Sequence, residues 1–188
     1  MLIVKSKPVG IDIPIRKLQE FLHSRLMGLW GLDPDTDSEN KLYESYGRCY
    51  RNKKDNGFIA EVYTGANQYK EVYWNDKLRA ISFFGTSNSI VHDKAEKTDV
   101  HLVFFVNLAK LKPSIAHRAD EEVRLDVLKS IGSFKYGFRF TGVDLGLENV
   151  LKEYPGSRRD DRLKAVDMHP VHCFRINFSL IYNKNNCF

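Results

Sequence analysis

The hydrophobic residues of the chain follow a few patterns that predict its secondary structure. Residues 100–109, VHLVFFVNLA, form its most apolar stretch and are rich in β-branched and aromatic residues, which predicts a strand near the middle of a sheet. After them Val123, Val127 and Ile131 recur every fourth position, which predicts a helix that packs back on this strand. Gly132 follows as a candidate glycine C-cap.

One face of the strand at 100–109 is uniformly apolar, whereas the other is mixed. Leu102, Phe104 and Val106 share the apolar face, while His101 and Phe105 belong to the mixed face. We therefore expect one face to be packed and the other to be only partly covered.

The N-terminal part of the chain predicts an arm followed by a helix. Residues 1–11 show no lasting period and are expected to form an extended arm. Asp12 can cap a helix that has Pro14 in its first turn and ends at Gly31. The apolar stripe of this amphipathic helix comprises Ile15, Leu18, Phe21, Leu22, Leu26 and Leu29. Residues 33–40 are polar and predict a surface loop.

Two hairpins are expected in the middle of the chain. Asn56-Gly57 favours a tight turn, and Asn75-Asp76 is compatible with another. The strands that these turns would join are 46–51 with 58–63, and 70–74 with 77–84. Residues 85–97 are polar and are expected to end the last of these strands.

The C-terminal part predicts two strands and a short helix. Residues 134–141 alternate as a short strand or an ordered crossing, and Asp144 can start a helix that reaches Tyr154. Residues 171–182 show the clearest alternation in the chain, with His172, Phe174, Ile176, Phe178, Leu180 and Tyr182 on one face. Residues 183–188 are expected to be a loose C-terminus.

The element order predicts a single α+β domain over residues 1–188. Its expected architecture is one mixed, mainly antiparallel sheet with an N-terminal helix and one or two later helices packed on it. We find no internal repeat, linker or low-complexity tract that would divide the chain.

Composition excludes little. The chain has 29 basic and 24 acidic residues, interspersed to give a net charge of +5, which is weaker than the basic stripe of a nucleic-acid groove. Three widely spaced cysteines favour synthesis in a reducing compartment over a disulfide framework. No secretory signal or membrane-spanning run is recognisable, so no membrane partner is expected.

The densest set of potential metal ligands is Asp167, His169 and His172. They could hold a metal ion if the segment were helical, but Pro170 separates the histidines and the predicted strand sends His172 to its apolar face. We favour a structural role, and a small metal-dependent hydrolase is the alternative.

Other polar motifs lack the setting of an active site. His92-Asp93 and the pair of Asp99 with His101 could each supply a base and its orienting group, but no recognisable nucleophile motif accompanies them. Gly137, Gly142 and Gly146 lack the spacing of a phosphate-binding loop. We therefore expect no catalytic, cofactor-binding or metal-ligating residues.

Basic and apolar residues suggest contact surfaces. The basic residues Arg48, Arg51, Lys53 and Lys54 interleave with tyrosines, so a nucleic-acid-binding module is a further alternative. A solvated hairpin explains the same residues, and we favour it. Arg158, Arg159 and Arg162 alternate with Asp160 and Asp161, a pattern suited to ion pairs between subunits. Leu125, Trp74, Phe83 and Phe84 are candidate contact residues for assembly.

The whole pattern resembles the tail-terminator and head-to-tail joining proteins of tailed bacteriophages. The resemblance rests on the N-terminal helix, the hairpin strands, the strand at 99–108 and the helix at 118–131. Segments 140–154 and 167–175 are similar to connector and tail-ring proteins of phages that infect gut bacteria, the crAss-like group among them. The resemblance spans most of residues 14–182 and rests on element order rather than on a single motif.

This resemblance implies a tail-terminator-like fold and a virion protein without catalytic residues. Its copies would form a closed homo-oligomeric ring of six or twelve subunits, stacked against portal, neck or other tail ring proteins around the DNA channel. It would be made in the host bacterial cytoplasm and reside in the virion, at the tail or the head-to-tail junction. The loops at 33–40 and 155–166 depart from the compact family pattern.

Overall fold

The structure, a computed structural model, describes residues 1–54, 57–91, 95–115, 117–157 and 168–183. Its elements in chain order are β1 (Leu2–Ile3), α1 (Asp12–Leu29), α2 (Asp37–Asn40), β2 (Tyr43–Lys54), β3 (Gly57–Gly65), β4 (Gln68–Glu71), β5 (Ala80–Val91), β6 (Ala95–Asn107), α3 (Leu108–Leu111), α4 (Asp120–Gly132), β7 (Phe138–Leu145), α5 (Leu147–Val150) and β8 (Val171–Asn183). None of the described helices is long and apolar enough to cross a membrane.

The strands form one mixed sheet of eight strands. Their order is β4-β3-β2-β5-β6-β8-β7, and β1 pairs with β2. The pairs β1–β2 and β2–β5 are parallel, whereas the other described neighbours are antiparallel. The predicted α+β class, with a mainly antiparallel sheet and an N-terminal helix, is confirmed.

Helices α1 and α4 cover one face of the sheet, which we call the helix face. Their apolar stripes pack against alternate side chains of β6 and β8, such as Phe104 and Phe174, whose rings stack 5.0 Å apart. The predicted alternation along β8 is confirmed because Phe174, Ile176, Phe178 and Leu180 all lie in this core. The predicted central strand and the helix that follows it are also confirmed.

The opposite face of the sheet has a core of its own. Residues of β2 and β3, including Tyr46 and Val62, pack in one cluster with Phe83, Phe105 and Tyr154. The expectation that this face of β6 is only partly covered is therefore wrong along its C-terminal half, where Phe105 is 1% exposed. The sequence pattern could not show that β2, β3 and the segment that contains Tyr154 would cover this face.

The second predicted hairpin is wrong, although its turn exists. Leu78 N donates to Asn75 O at 2.9 Å, but β4 pairs with β3 and β5 pairs in parallel with β2. Trp74 between them is buried in the second core. A local turn signal indicates a change of direction, and it does not determine which strand becomes the neighbour.

Residues 85–97 do not end the strand as expected. Strand β5 continues to Val91, β6 begins at Ala95, and the two remain paired along this polar stretch, where Ser89 Oγ and Thr98 Oγ1 are 2.8 Å apart. Strand pairing does not require apolar side chains, because cross-strand pairs of Ser and Thr also stabilise a solvent-exposed part of a sheet.

Several predicted element ends are also corrected. Asp12 lies inside the first turn of α1, and the N-cap position is Ile11. Gly31, with φ +62°, ends α1 as predicted. Gly132 is the last residue of α4 rather than its glycine C-cap. Asp144 lies in β7, and the third predicted helix shortens to the single turn α5, which follows Gly146.

The two chain ends also differ from the simple expectation. Leu2 and Ile3 of the predicted arm pair with Ser45 and Tyr46 of β2, and the predicted loop at 33–40 contains α2. Asn183 belongs to β8, whereas residues 184–188 lie outside the described residues.

Candidate functional site

Of the three predicted metal ligands, the structure describes His169 and His172, which have different surroundings. Asp167 lies outside the described residues, and His169 is exposed. His172 is 5% exposed, accepts a hydrogen bond at Nδ1 from the Arg118 guanidinium at 3.0 Å and stacks on Phe174. Among the described residues no three His, Cys, Asp or Glu side chains cluster as metal ligands would.

The basic residues of the predicted nucleic-acid surface are divided between the two faces of β2. Arg48 binds the buried carboxylate of Asp12 at 2.6 Å, on the side of α1. Arg51 lies 4.1 Å over the Phe58 ring, and its partner on β3 is Ala60, a residue of the second core. Lys54 forms an ion pair with Glu71 at 2.9 Å, and Lys53 is exposed. Such a split and partly neutralised set does not form one phosphate-binding track.

Of the two predicted pairs of a histidine with an aspartate, the structure describes only Asp99 with His101, and these two do not form a catalytic dyad. His92 and Asp93 lie outside the described residues, as do Arg158, Arg159, Arg162, Asp160 and Asp161. Asp99 is exposed, and His101 is 1% exposed beneath Tyr154, with ring centroids 6.1 Å apart. Neither ring nitrogen of His101 has a hydrogen-bond partner among the described residues. Burial, with a smaller contribution from the charge of Arg175, lowers the pKa of His101 to about 3.

The structure contains a polar cleft that sequence reasoning missed. This cleft, of about 520 Å³, lies over β5, β6, β7 and β8 next to the segment that follows α5. Its charged or amide-bearing lining residues are Asn88, Asp99, Asp144, Lys152, Glu153, Arg175 and Asn177. The signal available in the sequence was the pair Arg175 and Asn177 on the less apolar face of the closing strand.

Arg175 is the centre of a hydrogen-bond network in this cleft. It is 3% exposed, donates through both terminal nitrogens to the Glu153 carboxylate and donates through Nε to Asn177 Oδ1 at 2.7 Å. Asn177 Nδ2 donates in turn to Asp144 Oδ2 at 3.1 Å, and Lys152 lies 3.3 Å from the same oxygen.

The electrostatics of the cleft favour the ionised forms of Glu153 and Asp144. Burial alone would raise the pKa of Glu153, but the hydrogen bonds from Arg175, together with the charges of His101 and Arg175, hold that pKa below its ordinary value. Burial also opposes ionisation of Asp144, whose pKa is nonetheless lowered by Asn177 and Lys152. Carboxylates paired in this way make poor proton donors near neutral pH, so the network suits a structural role that fixes the α5 segment on β8.

The exposed apolar side chains indicate a different kind of site, at sheet edges. Strand β7 is one outer strand of the described sheet. Strand β5 pairs with β2 only from Ala80 to Phe84, so among the described residues its segment 86–91 has a neighbour on one side only, β6. Ile90 and Val91 on this segment are 58% and 62% exposed, and Phe140 on β7 is 51% exposed.

The contact residues expected from the sequence are mostly not at the surface. Trp74, Phe83 and Phe84 are at most 4% exposed, so their prediction as contact residues is wrong because both cores absorb them. Leu125 is 45% exposed on α4. The free part of β5, TSNSIV, has no charged residue, which is the signal that sequence reasoning overlooked.

The comparisons with known proteins assign no family to this geometry. The sequence matches no protein-family model, and no curated protein is similar to it at a significant level.

Proposed function

We propose that this chain is a structural virion protein whose copies form a homo-oligomeric ring in the head-to-tail connector or tail of a tailed bacteriophage. Six or twelve copies would surround the DNA channel and stack on portal, neck or other tail ring proteins. The protein would be made in the cytoplasm of the host bacterium and would act without catalysis or cofactor.

The observation that carries the proposal is a pair of backbone edges on opposite sides of one sheet that have no further neighbour among the described strands. The free segment 86–91 of β5 and the strand β7 are separated by β6 and β8. Both carry exposed apolar side chains. Two different complementary surfaces on one subunit give head-to-tail contacts, which close into a ring when the rotation between neighbours permits.

The state of the polar groups supports an assembly role over a chemical one. The most buried charges of the cleft, Arg175 and Glu153, bind each other. The Asp12 carboxylate forms ion pairs with Lys5 and Arg48. These interactions stabilise the subunit and engage the buried charges of Arg175, Glu153 and Asp12. The resemblance in element order to phage tail-terminator and joining proteins adds to this support.

The test is the assembly state of the purified chain. Native mass spectrometry and negative-stain microscopy, over a range of concentrations, are expected to show closed rings with one fixed copy number. The same measurements are repeated after addition of portal or tail ring components, because ring formation can require a neighbouring virion protein. A chain that remains monomeric under all these conditions would contradict the proposal.

A control for chemistry uses the same preparation. Metal analysis, with His169→Ala for comparison, is expected to show no stoichiometric metal. A salt titration with duplex DNA is expected to show only weak binding that does not depend on Arg51, whereas a phosphate-binding groove would give affinity that falls steeply with salt.

A further inference from the structure

The β5–β6–β8–β7 part of the sheet has a strand polarity that suits direct joining of two copies. Its neighbouring strands are antiparallel throughout, so β5 and β8 run in one direction and β6 and β7 in the other. When two copies lie side by side in the same orientation, β7 of one is therefore antiparallel to β5 of the next. Their helix faces also stay on the same side of the extended sheet.

The pairing register of the sheet indicates which residues would face each other. Thr86 pairs with Val100, which pairs with Phe178, which pairs with Phe140. Thr86 and Phe140 are thus at the same level and on the same face, at opposite sides of the four strands. Ser89 and Phe138 are matched in the same way through Thr98 and Leu180.

The free length on the two strands also matches. Strand β2 leaves β5 after Phe84, so the half of β7 near Leu145 would meet β2. The start of β7, from Phe138 to Thr141, and the bend at 136–137 that precedes it would meet 86–91. Tyr136 and Phe140 are 52% and 51% exposed. Aromatic side chains beside β-branched ones such as Thr86, which is level with Phe140, make favourable cross-strand pairs.

The other outer strand of the described sheet, β4, is less suited to this contact. It has four residues and includes Lys70 and Glu71. Short strands and charged side chains are the devices by which natural proteins keep edges unpaired. The segment 86–91 is uncharged and continues a strand of 12 residues, so it carries neither of these two devices, although its ladder with β6 shifts register between Thr86 and Ser89.

We propose, resting on the ring function above, that the ring contact is a β-sheet joint in which the segment 136–141 of one copy pairs antiparallel with the segment 86–91 of the next copy. The joint turns the separate sheets into one continuous antiparallel sheet around the ring. Each copy pairs through its β7 edge with one neighbour and through its β5 edge with the other. In a closed ring the segments 136–141 and 86–91 of every copy are therefore paired.

The experiment uses two edge variants and two matched controls. Phe140→Lys damages the β7 edge and Ile90→Lys damages the β5 edge. Leu125→Lys on α4 and Tyr69→Lys on β4 make the same kind of change at side chains that are 45% and 56% exposed. All four sites are exposed, so the variants are expected to fold, which circular dichroism and thermal unfolding will verify.

Each edge variant alone is expected to weaken ring assembly at least about tenfold in protein concentration, since loss of one anchor contact at an interface commonly has this effect. The two control variants should assemble like the wild type. A mixture of Phe140→Lys with Ile90→Lys is the decisive sample, because each variant retains the edge that the other lacks. Native mass spectrometry should show a one-to-one heterodimer that does not grow into rings.

The outcomes separate this inference from the function on which it rests. If the wild type forms rings and both edge variants still form them, the β5–β7 joint is overturned and the ring function stands. The same holds if Tyr69→Lys abolishes the rings. Homodimers of either edge variant would also overturn the joint. A wild-type chain that stays monomeric with and without virion components would overturn both proposals.

Discussion

Gly85 on β5 offers a sharp test of how the second core is packed. It lies directly opposite His101 on β6. A Cβ at this position would lie 2.1 Å from His101 Nε2 and 2.5 Å from Tyr154 Oη. Both neighbours are 1% exposed, and Tyr154 also packs edge-on against Phe83 at 5.9 Å. Gly85→Ala must therefore displace one buried ring.

The expected loss of stability follows from these distances. Overpacking of a close-packed core costs about 1–3 kcal/mol, and contacts this short place Gly85→Ala at the upper end, about 3 kcal/mol. For a chain of this size, 1 kcal/mol corresponds to about 2–4 °C in Tm. We expect a melting temperature lower by about 6–12 °C and a lower denaturant midpoint at unchanged slope.

A matched control and a double variant define the cause. Gly142→Ala makes the same change in β7, where an added Cβ meets nothing within 4 Å, so its effect should stay within about 0.5 kcal/mol. His101→Ala creates space for the new methyl group, and the double variant should show a coupling of at least about 1 kcal/mol. An unchanged midpoint for Gly85→Ala, or additive effects with His101→Ala, would refute the assigned packing.

Three further changes test other parts of the structure. Burial lowers the pKa of His23 to about 4 and that of His101 to about 3. Below about pH 6.5 the unfolded chain therefore binds more protons than the folded chain. The free energy of unfolding should fall towards acid pH, with a slope of up to about 1.4 kcal/mol per pH unit for each histidine. Urea unfolding between pH 4.5 and 8 should show this slope, reduced in His101→Ala, and a flat profile would contradict it. Asp12→Asn removes the acceptor of Lys5 and Arg48, which are partly exposed, so the loss should be about 2 kcal/mol, whereas Asp37→Asn in a solvent-exposed pair should have no measurable effect in the same assay. Gly28→Ala in α1, where an added Cβ meets nothing within 4 Å, should raise stability by about 0.5–1 kcal/mol, and a lower Tm would count against the open position.

The elements with a strong period were predictable from the sequence. Strand β8 and helices α1 and α4 each bury one side, and their side chains repeat at 2 or about 3.6 residues. The α+β class followed from their order. The end of a helix was also predictable where a glycine with positive φ follows it, as Gly31 follows α1.

Non-local pairing was not predictable in this way. The turn at Asn75-Asp76 forms, yet the strands beside it find other partners, because β2 offers β5 a parallel edge far away in sequence. Asp12 shows the same limitation for a single residue. Its position suits an N-cap, but two cations from distant segments, Lys5 and Arg48, bind its carboxylate instead.

The candidate site was missed because its elements are separated in sequence and lack a motif. Arg175 and Glu153 meet only after β8 and the α5 segment pack together, and their spacing of 22 residues matches no known chemical pattern. The position at which β2 stops pairing with β5 determines how much of β5 lacks a second neighbour, and the local hydrophobic pattern does not indicate that position.

The composition of the strand edges bears on which state of the protein is functional. Natural sequences protect free edges with charges, bulges or short strands, since an uncovered flat edge invites aggregation. Strand β4 is short and charged, and β7 contains Arg139 and an irregularity between Phe140 and Gly142. The segment 86–91 of β5 carries two exposed aliphatic residues and no charge, and its one irregularity is the register shift between Thr86 and Ser89 in its ladder with β6. Such an edge would be a liability for a permanent monomer, whereas it is well suited to a subunit whose edge is covered by the next copy, so the asymmetry between β4 and β5 favours assembly through β5.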